Sequence, residues 1–227
     1  MKKQCLSAVI AACMAFGVTA ELGAQPAQKQ KSEINPAPTA KDWADIAKLP
    51  DWSGVWNPKI TDQDAQIKTN MPPWNDKAME QIRFQMAEEK AGRPPPLFVN
   101  CLPEAMPAWM LVTHNSMEIL FTPGRVTMLG ESDGNRLRRI YTDGRKHPDD
   151  PDPTWHGHSI GHWEGDTLVV DTIGMRDDTW IDWNGSVVTE AAKIREEIRR
   201  IDFGHMEIKA TVDDPKAFRA LKIHIYW

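Results

Sequence analysis

Residues 159–172 read SIGHWEGDTLVVDT. Ser159–Trp163 and Thr167–Asp171 are runs in strand-forming residues, and Glu164-Gly165-Asp166 between them is tight-turn chemistry. The stretch therefore predicts a β-hairpin. The same pattern extends outward. Upstream, Met117–Phe121 and Arg125–Leu129 flank Thr122-Pro123-Gly124, and Leu137–Tyr141 follows a Ser-Asp-Gly-Asn turn. Downstream, Glu196–Asp202, His205–Val212 and Lys222–Trp227 complete the set. Short strands at regular spacing, joined by Gly, Asp and Asn turns, predict a mainly β fold, an antiparallel β-barrel or meander.

Before these strands, Asn75–Gly92 predicts one N-terminal helix. It has a polar start, apolar positions at Ala78, Met79, Ile82, Phe84 and Met86, and a Gly stop, with Pro94-Pro95-Pro96 barring continuation. Asp51–Trp56 is expected to open the folded body as a strand, after a short amphipathic pair of turns at Lys41–Lys48.

The whole chain has 227 residues, long enough for one sizeable core. Its net charge of −5, with no clustered basic face, argues against nucleic-acid binding. Seventeen Pro and fourteen Gly are too many interruptions for a helical bundle. No stretch beyond the N-terminus reaches the ~18 apolar residues of a transmembrane helix.

Met1, Lys2 and Lys3 followed by the apolar run Cys5–Ala20 read as a signal peptide, residues 1–24, directing the chain to the periplasm or outside. Cleavage is expected after Ala20 or Ala24. The alternative is a lipoprotein anchored through Cys13, since Ile10-Ala11-Ala12-Cys13 resembles a lipobox. Residues 25–48 are then a flexible tether, its first part rich in Gln, Lys, Pro and Ala, and residues 49–227 a single β-rich domain. Removal of Cys5 and Cys13 leaves Cys101 alone, so no internal disulfide is expected. Beside Leu102, Pro103 and Met106, Cys101 reads as a small buried hydrophobe, with nucleophile or metal ligand as the other readings. The last predicted strand runs to Trp227. An exposed edge is expected there, in a truncated chain or in a homodimer that covers it.

Several groups could carry chemistry. Gly157-His158-Ser159-Ile160-Gly161 matches the G-x-S-x-G nucleophile elbow. That elbow needs a buried strand before the Ser and a helix after it. Here the Pro- and Asp-rich 148–153 precedes and a hairpin follows, so a strand start is the expected context. His156, His158 and His162 would share one face of a regular strand and could hold a divalent metal such as Zn, although Gly157 and Gly161 interrupt that regularity. In the loop 141–148, Asp143 could orient His147 as a general base, with His158 as a second imidazole and Arg145 holding an anion. The ordinary alternatives are solvated or core histidines, and a turn in which Asp143 caps backbone amides while Arg145 pairs across the surface. Asp149, Asp150 and Asp152 read as a solvated acidic loop, and 187–200, with Glu196, Glu197, Arg199 and Arg200, as a solvated strand face. The ten Trp are mostly core by default, but Trp109, Trp155 and Trp163 are placed to wall a ligand cavity.

Two resemblances attach to these residues. Gly54-Val55-Trp56 resembles the Gly-x-Trp opening of lipocalin-type barrels, which implies a Trp plugging the barrel base. The run RRIYTDGRKHPDDPDPTWHGHSIGHWEGDTLVVDT (138–172), with the opening DWSGVW, CLPEAMP at 101–107 and the late IDFGHMEIKATVDDPKAF, is similar to a widespread uncharacterised bacterial family of secreted proteins. It implies export and a β fold more than an activity. After Gly185 that family has a His-Pro-His-Thr-Glu run and then Leu-His-Val-Thr-Glu-Arg. This chain instead has Ser186-Val187-Val188-Thr189-Glu190 and then Ala192-Lys193-Ile194-Arg195-Glu196-Glu197, so histidines that could join an acid–base or metal site are missing.

The leading expectation is a secreted or periplasmic lipocalin-like β-barrel that binds a small apolar or aromatic ligand. Trp109, Trp155 and Trp163 would form its walls, and Asp143, Arg145 and His147 its rim. The alternative is a hydrolase or lyase-type enzyme in the same barrel, using Asp143, His147 and His158, with or without a divalent metal. A carbohydrate-binding module with exposed Trp is the third reading.

Overall fold

A computed structural model describes residues 37–57, 73–93, 102–111, 116–131, 136–179 and 188–226. The signal peptide, the start of the tether, Cys101, His114, Trp180 and Trp183 lie outside the described residues. Nine strands form one sheet in chain order: β1 Val55–Trp56, β2 Met117–Thr122, β3 Arg125–Gly130, β4 Leu137–Tyr141, β5 His158–Glu164, β6 Thr167–Ile173, β7 Lys193–Arg200, β8 Met206–Asp214 and β9 Phe218–Tyr226. The sheet curls into a half-barrel. Among the described residues β1 and β9 do not pair with each other, so the curl is open.

The hairpins form where turn chemistry predicts them. Gly124 and Gly165, both at positive φ, close β2–β3 and β5–β6. One junction departs from the meander. β4 and β5 run parallel and share only two partner pairs, Ile140↔Ser159 and Tyr141↔Ile160. A parallel neighbour requires the chain to travel back along the sheet before it pairs again, and residues 142–157 make that crossing.

Side chains alternate between the two faces, as the pleat dictates. In β7, Ile194, Glu196 and Ile198 are buried while Lys193, Arg195 and Glu197 are exposed. The inward face carries Ile119, Val126, Met128, Ile140, Leu168, Val170, Ile208 and Val212. Trp52 packs into this core against Phe121 and Trp163, with ring centroids at 5.6 and 5.1 Å. Helix α3 (Ala108–Leu111) and the segment leading into it, with Ala105, Met106, Trp109 and Met110 fully buried, belong to the same core. Trp109 seats against Gly130 of β3, where a Cβ would lie 2.7 Å from the indole ring. Any side chain there would expel the ring.

Two further helices precede the main sheet. α1 (Ala40–Ile46) has a capping box between Thr39 and Asp42 and buries no residue, so the predicted tether contains two helical turns. α2 (Asp76–Lys90) is the predicted helix, N-capped by Asn75, whose side chain accepts from the Ala78 amide at 2.9 Å. It buries Ala78 and Ile82, but Phe84 and Met86, expected on its packed face, stand exposed. Asn75 also donates to the Lys216 carbonyl at 2.8 Å and Trp74 meets Phe218 edge-on, which ties the helix start to the β8–β9 turn. No helix among the described residues is long and apolar enough to cross a membrane.

Candidate functional site

Where β4 and β5 part company, the concave side of the sheet holds a charged group with no access to solvent. Arg138 alternates inward in phase with Ile140, and Ser159, Thr172 and Glu196 reach it from β5, β6 and β7. The Arg138 guanidinium grips Glu196 with both terminal nitrogens: Nη1 donates to Oε1 at 3.0 Å and Nη2 to Oε2. Nη2 also donates to Thr172 Oγ1 at 3.0 Å and to Ser159 Oγ at 3.2 Å, and Nε reaches the same Ser159 oxygen at 3.3 Å. The two hydroxyls are 2.8 Å apart. Met110 and Met128 sulfurs stand 3.8 and 3.9 Å from Nη1. The Arg138 and Glu196 side chains are 1% and 0% exposed. A second buried ion pair, Arg136 with Glu104, lies immediately before β4.

This arrangement decides the role of Ser159. The residue lies near the start of β5 with its side chain buried and its hydroxyl held by Arg138 and Thr172, and β5 turns directly into the β6 hairpin. It does not stand at a strand-to-helix corner, so the G-x-S-x-G match is not a nucleophile elbow.

His156 precedes the strand. Gly157 has φ +67°, and a Cβ there would come within 2.6 Å of the Ile173 carbonyl oxygen and 2.7 Å of Thr172 Cγ2. Only glycine fits that bend. The bend breaks the two-residue repeat that would have put His156 and His158 on one face. His156 instead stacks on Trp109, with centroids 5.0 Å apart, and bonds to the Leu137 backbone. Burial, reinforced by the nearby Arg138 and Arg136 guanidiniums, pushes its pKa down to about 4, so it is neutral at pH 7. His162, the third expected ligand, pairs with exposed Glu164 at 2.9 Å. Among the described residues no three His, Cys, Asp or Glu side chains are grouped to hold a metal ion.

On the other face of β4 and β5, the crossing brings His147 and His158 together. Their Nδ1 atoms lie 2.9 Å apart, so one ring must donate and the other accept. Burial lowers both pKa values, and Arg145 and the neighbouring imidazole add to this at His158, whereas Asp171 pulls His147 the other way. Tyr141 stacks on His158 at 5.4 Å and carries the Arg145 guanidinium over its ring at 3.9 Å. Asp143 is engaged by Arg145, from Nε at 2.9 Å and from Nη2 at 2.6 Å. Asp143 therefore orients Arg145 and not His147. Its own pKa is lowered chiefly by that bond.

Of the three expected cavity walls, Trp109 is buried against Gly130 and His156, and Trp163 packs on Trp52 and Phe121. Trp155 is only half-buried, with Arg176 over its ring at 4.4 Å. It faces a cleft of about 410 Å³ along the parting of β4 and β5, whose other sides include Tyr141, Pro148, Pro151, His156 and His158. Arg138 and Ser159 lie at its inner end. Sequence reading found Trp155, His156 and His158 but missed Arg138 and Glu196. The available signal was phase: Glu196 alternates with Ile194 and Ile198, and Arg138 with Ile140. No family model, curated protein or solved structure matches this chain.

Proposed function

We propose that this chain is an exported binding protein, secreted or periplasmic, that holds a small apolar or aromatic ligand in the cleft between β4 and the 148–158 segment. One observation carries the reading: a cleft of about 410 Å³ is walled by Tyr141, Trp155, Pro148 and Pro151, with neutral imidazoles beside them. That size and mixture, apolar walls with a few placed polar groups, is what small-molecule sites have in common. Lipocalin-like use of the sheet enters with a change of address. The concave interior is filled by Arg138, Met110, Met128 and Trp109, so the ligand belongs at the seam between strands and not in the lumen. Export rests on residues 1–24 and is checked by N-terminal sequencing of the protein recovered from its natural host.

The test uses N-phenyl-1-naphthylamine, an uncharged aromatic whose fluorescence rises on leaving water. Saturable binding at one site per chain, weakened about tenfold or more by Trp155→Ala, supports the reading. Absence of saturable binding, or binding indifferent to Trp155→Ala and Tyr141→Ala, overturns it.

A further inference from the structure

The charges along the cleft narrow the ligand class. The cleft is lined by three formally charged side chains, Arg138, Arg139 and Asp152. Arg138 is fully committed to Glu196, Ser159 and Thr172. Of the arginines just outside, Arg145 is taken by Asp143 and Arg176 by Asp178, and the exposed Lys146, Asp149 and Asp150 of the crossing are not lining residues. Arg139 and Asp152 remain. Both are exposed, and among the described residues neither makes an ion pair or a side-chain hydrogen bond, with each other or with any other group. Arg139 projects from the outward face of β4 beside Tyr141, while Asp152 comes from the crossing beside Trp155. The cleft thus offers one guanidinium and one carboxylate, each unspent, together with an aromatic and proline surface.

We propose that the ligand is a small zwitterion with an apolar or aromatic side chain, an α-amino acid in chemical class. Its carboxylate pairs with Arg139, its ammonium group with Asp152, and its side chain lies against Tyr141 and Trp155. This rests on the binding reading above and adds the ligand's charges to it. A planar guanidinium takes a carboxylate through two parallel hydrogen bonds, and a carboxylate takes an ammonium group through one or more. Either contact alone holds half of the molecule. An uncharged ligand would leave both side chains to water.

Calorimetric titration of the purified chain with L-phenylalanine, 3-phenylpropanoate and 2-phenylethylamine tests this, with N-phenyl-1-naphthylamine as the uncharged reference. Phenylalanine is expected to bind at least tenfold more tightly than either singly charged compound. Arg139→Gln should weaken phenylalanine and phenylpropanoate roughly tenfold and leave phenylethylamine and the naphthylamine unchanged. Asp152→Asn should weaken phenylalanine and phenylethylamine and spare phenylpropanoate. If the naphthylamine binds but phenylalanine gains nothing over the singly charged pair, or both substitutions are silent, the zwitterion assignment fails and the binding site stands. If no compound binds, both fail.

Discussion

Two arginines seven residues apart in the chain, Arg138 and Arg145, each pair with a carboxylate and do opposite work. Arg138 meets Glu196, 58 positions away in sequence, with almost no exposure on either side chain. Arg145 meets Asp143, two positions away, with about a third of each side chain in water. The second pair shapes a turn and puts a cation over Tyr141. The first joins β4 to β7 across the inside of the sheet, with β5 and β6 contributing the hydroxyls that complete its hydrogen bonding. Chemical likeness is therefore a poor guide to energetic weight. A buried charge costs several kcal/mol to desolvate and repays this only with its partner in place, whereas water already serves an exposed charge.

The sharpest break of this comparison is Glu196→Ala. It strands Arg138 without its counter-ion and should cost about 3–5 kcal/mol of unfolding free energy, read as a lower urea midpoint. Restoring apolar packing with Arg138→Met and Glu196→Leu together should recover most of that loss, and failure to recover it would mean the pair contributes more than charge balance. Next comes acidification. His156 has its pKa lowered from about 6.5 to about 4 in the fold, so the unfolded chain binds its proton first as pH drops. Its contribution is complete above pH 6.5 and is lost progressively as pH falls toward 4, about 3 kcal/mol in all. A urea midpoint followed across that range should fall, and His156→Phe should flatten the slope. Gly157→Ala is expected to cost about 2 kcal/mol, because the new Cβ meets the Ile173 carbonyl at a positive φ, and the loss is checked by thermal unfolding. Asp143→Asn closes the series. At a partly exposed pair it should shift stability by less than about 1 kcal/mol, and a larger loss would erase the distinction between the two pairs.

Local chemistry was legible and long-range pairing was not. The hairpins around Gly124 and Gly165 were readable because a turn residue and its flanking strands sit side by side in the sequence. The parallel step from β4 to β5 was invisible, since nothing in residues 142–157 states the direction in which the chain returns. Among the candidate site residues, His147 and His158 do meet, while the expected run of His156, His158 and His162 is broken by the backbone at Gly157. Glu196 read as solvated because its neighbours Arg195 and Glu197 are charged. Its alternation with Ile194 and Ile198 carried the opposite message, and the alternation governs burial in a pleated strand. Phe84 and Met86 show the converse: a helical period marks an apolar stripe without supplying a surface to cover it.

The short parallel contact has an evolutionary consequence. On either side of it, each antiparallel ribbon takes its alignment from its own reverse turn. Insertions, deletions or replacement within 142–153 would leave those alignments intact while rewriting Tyr141's neighbours and the prolines opposite. The lining of the cleft is thereby free to drift at a single splice in an otherwise fixed scaffold.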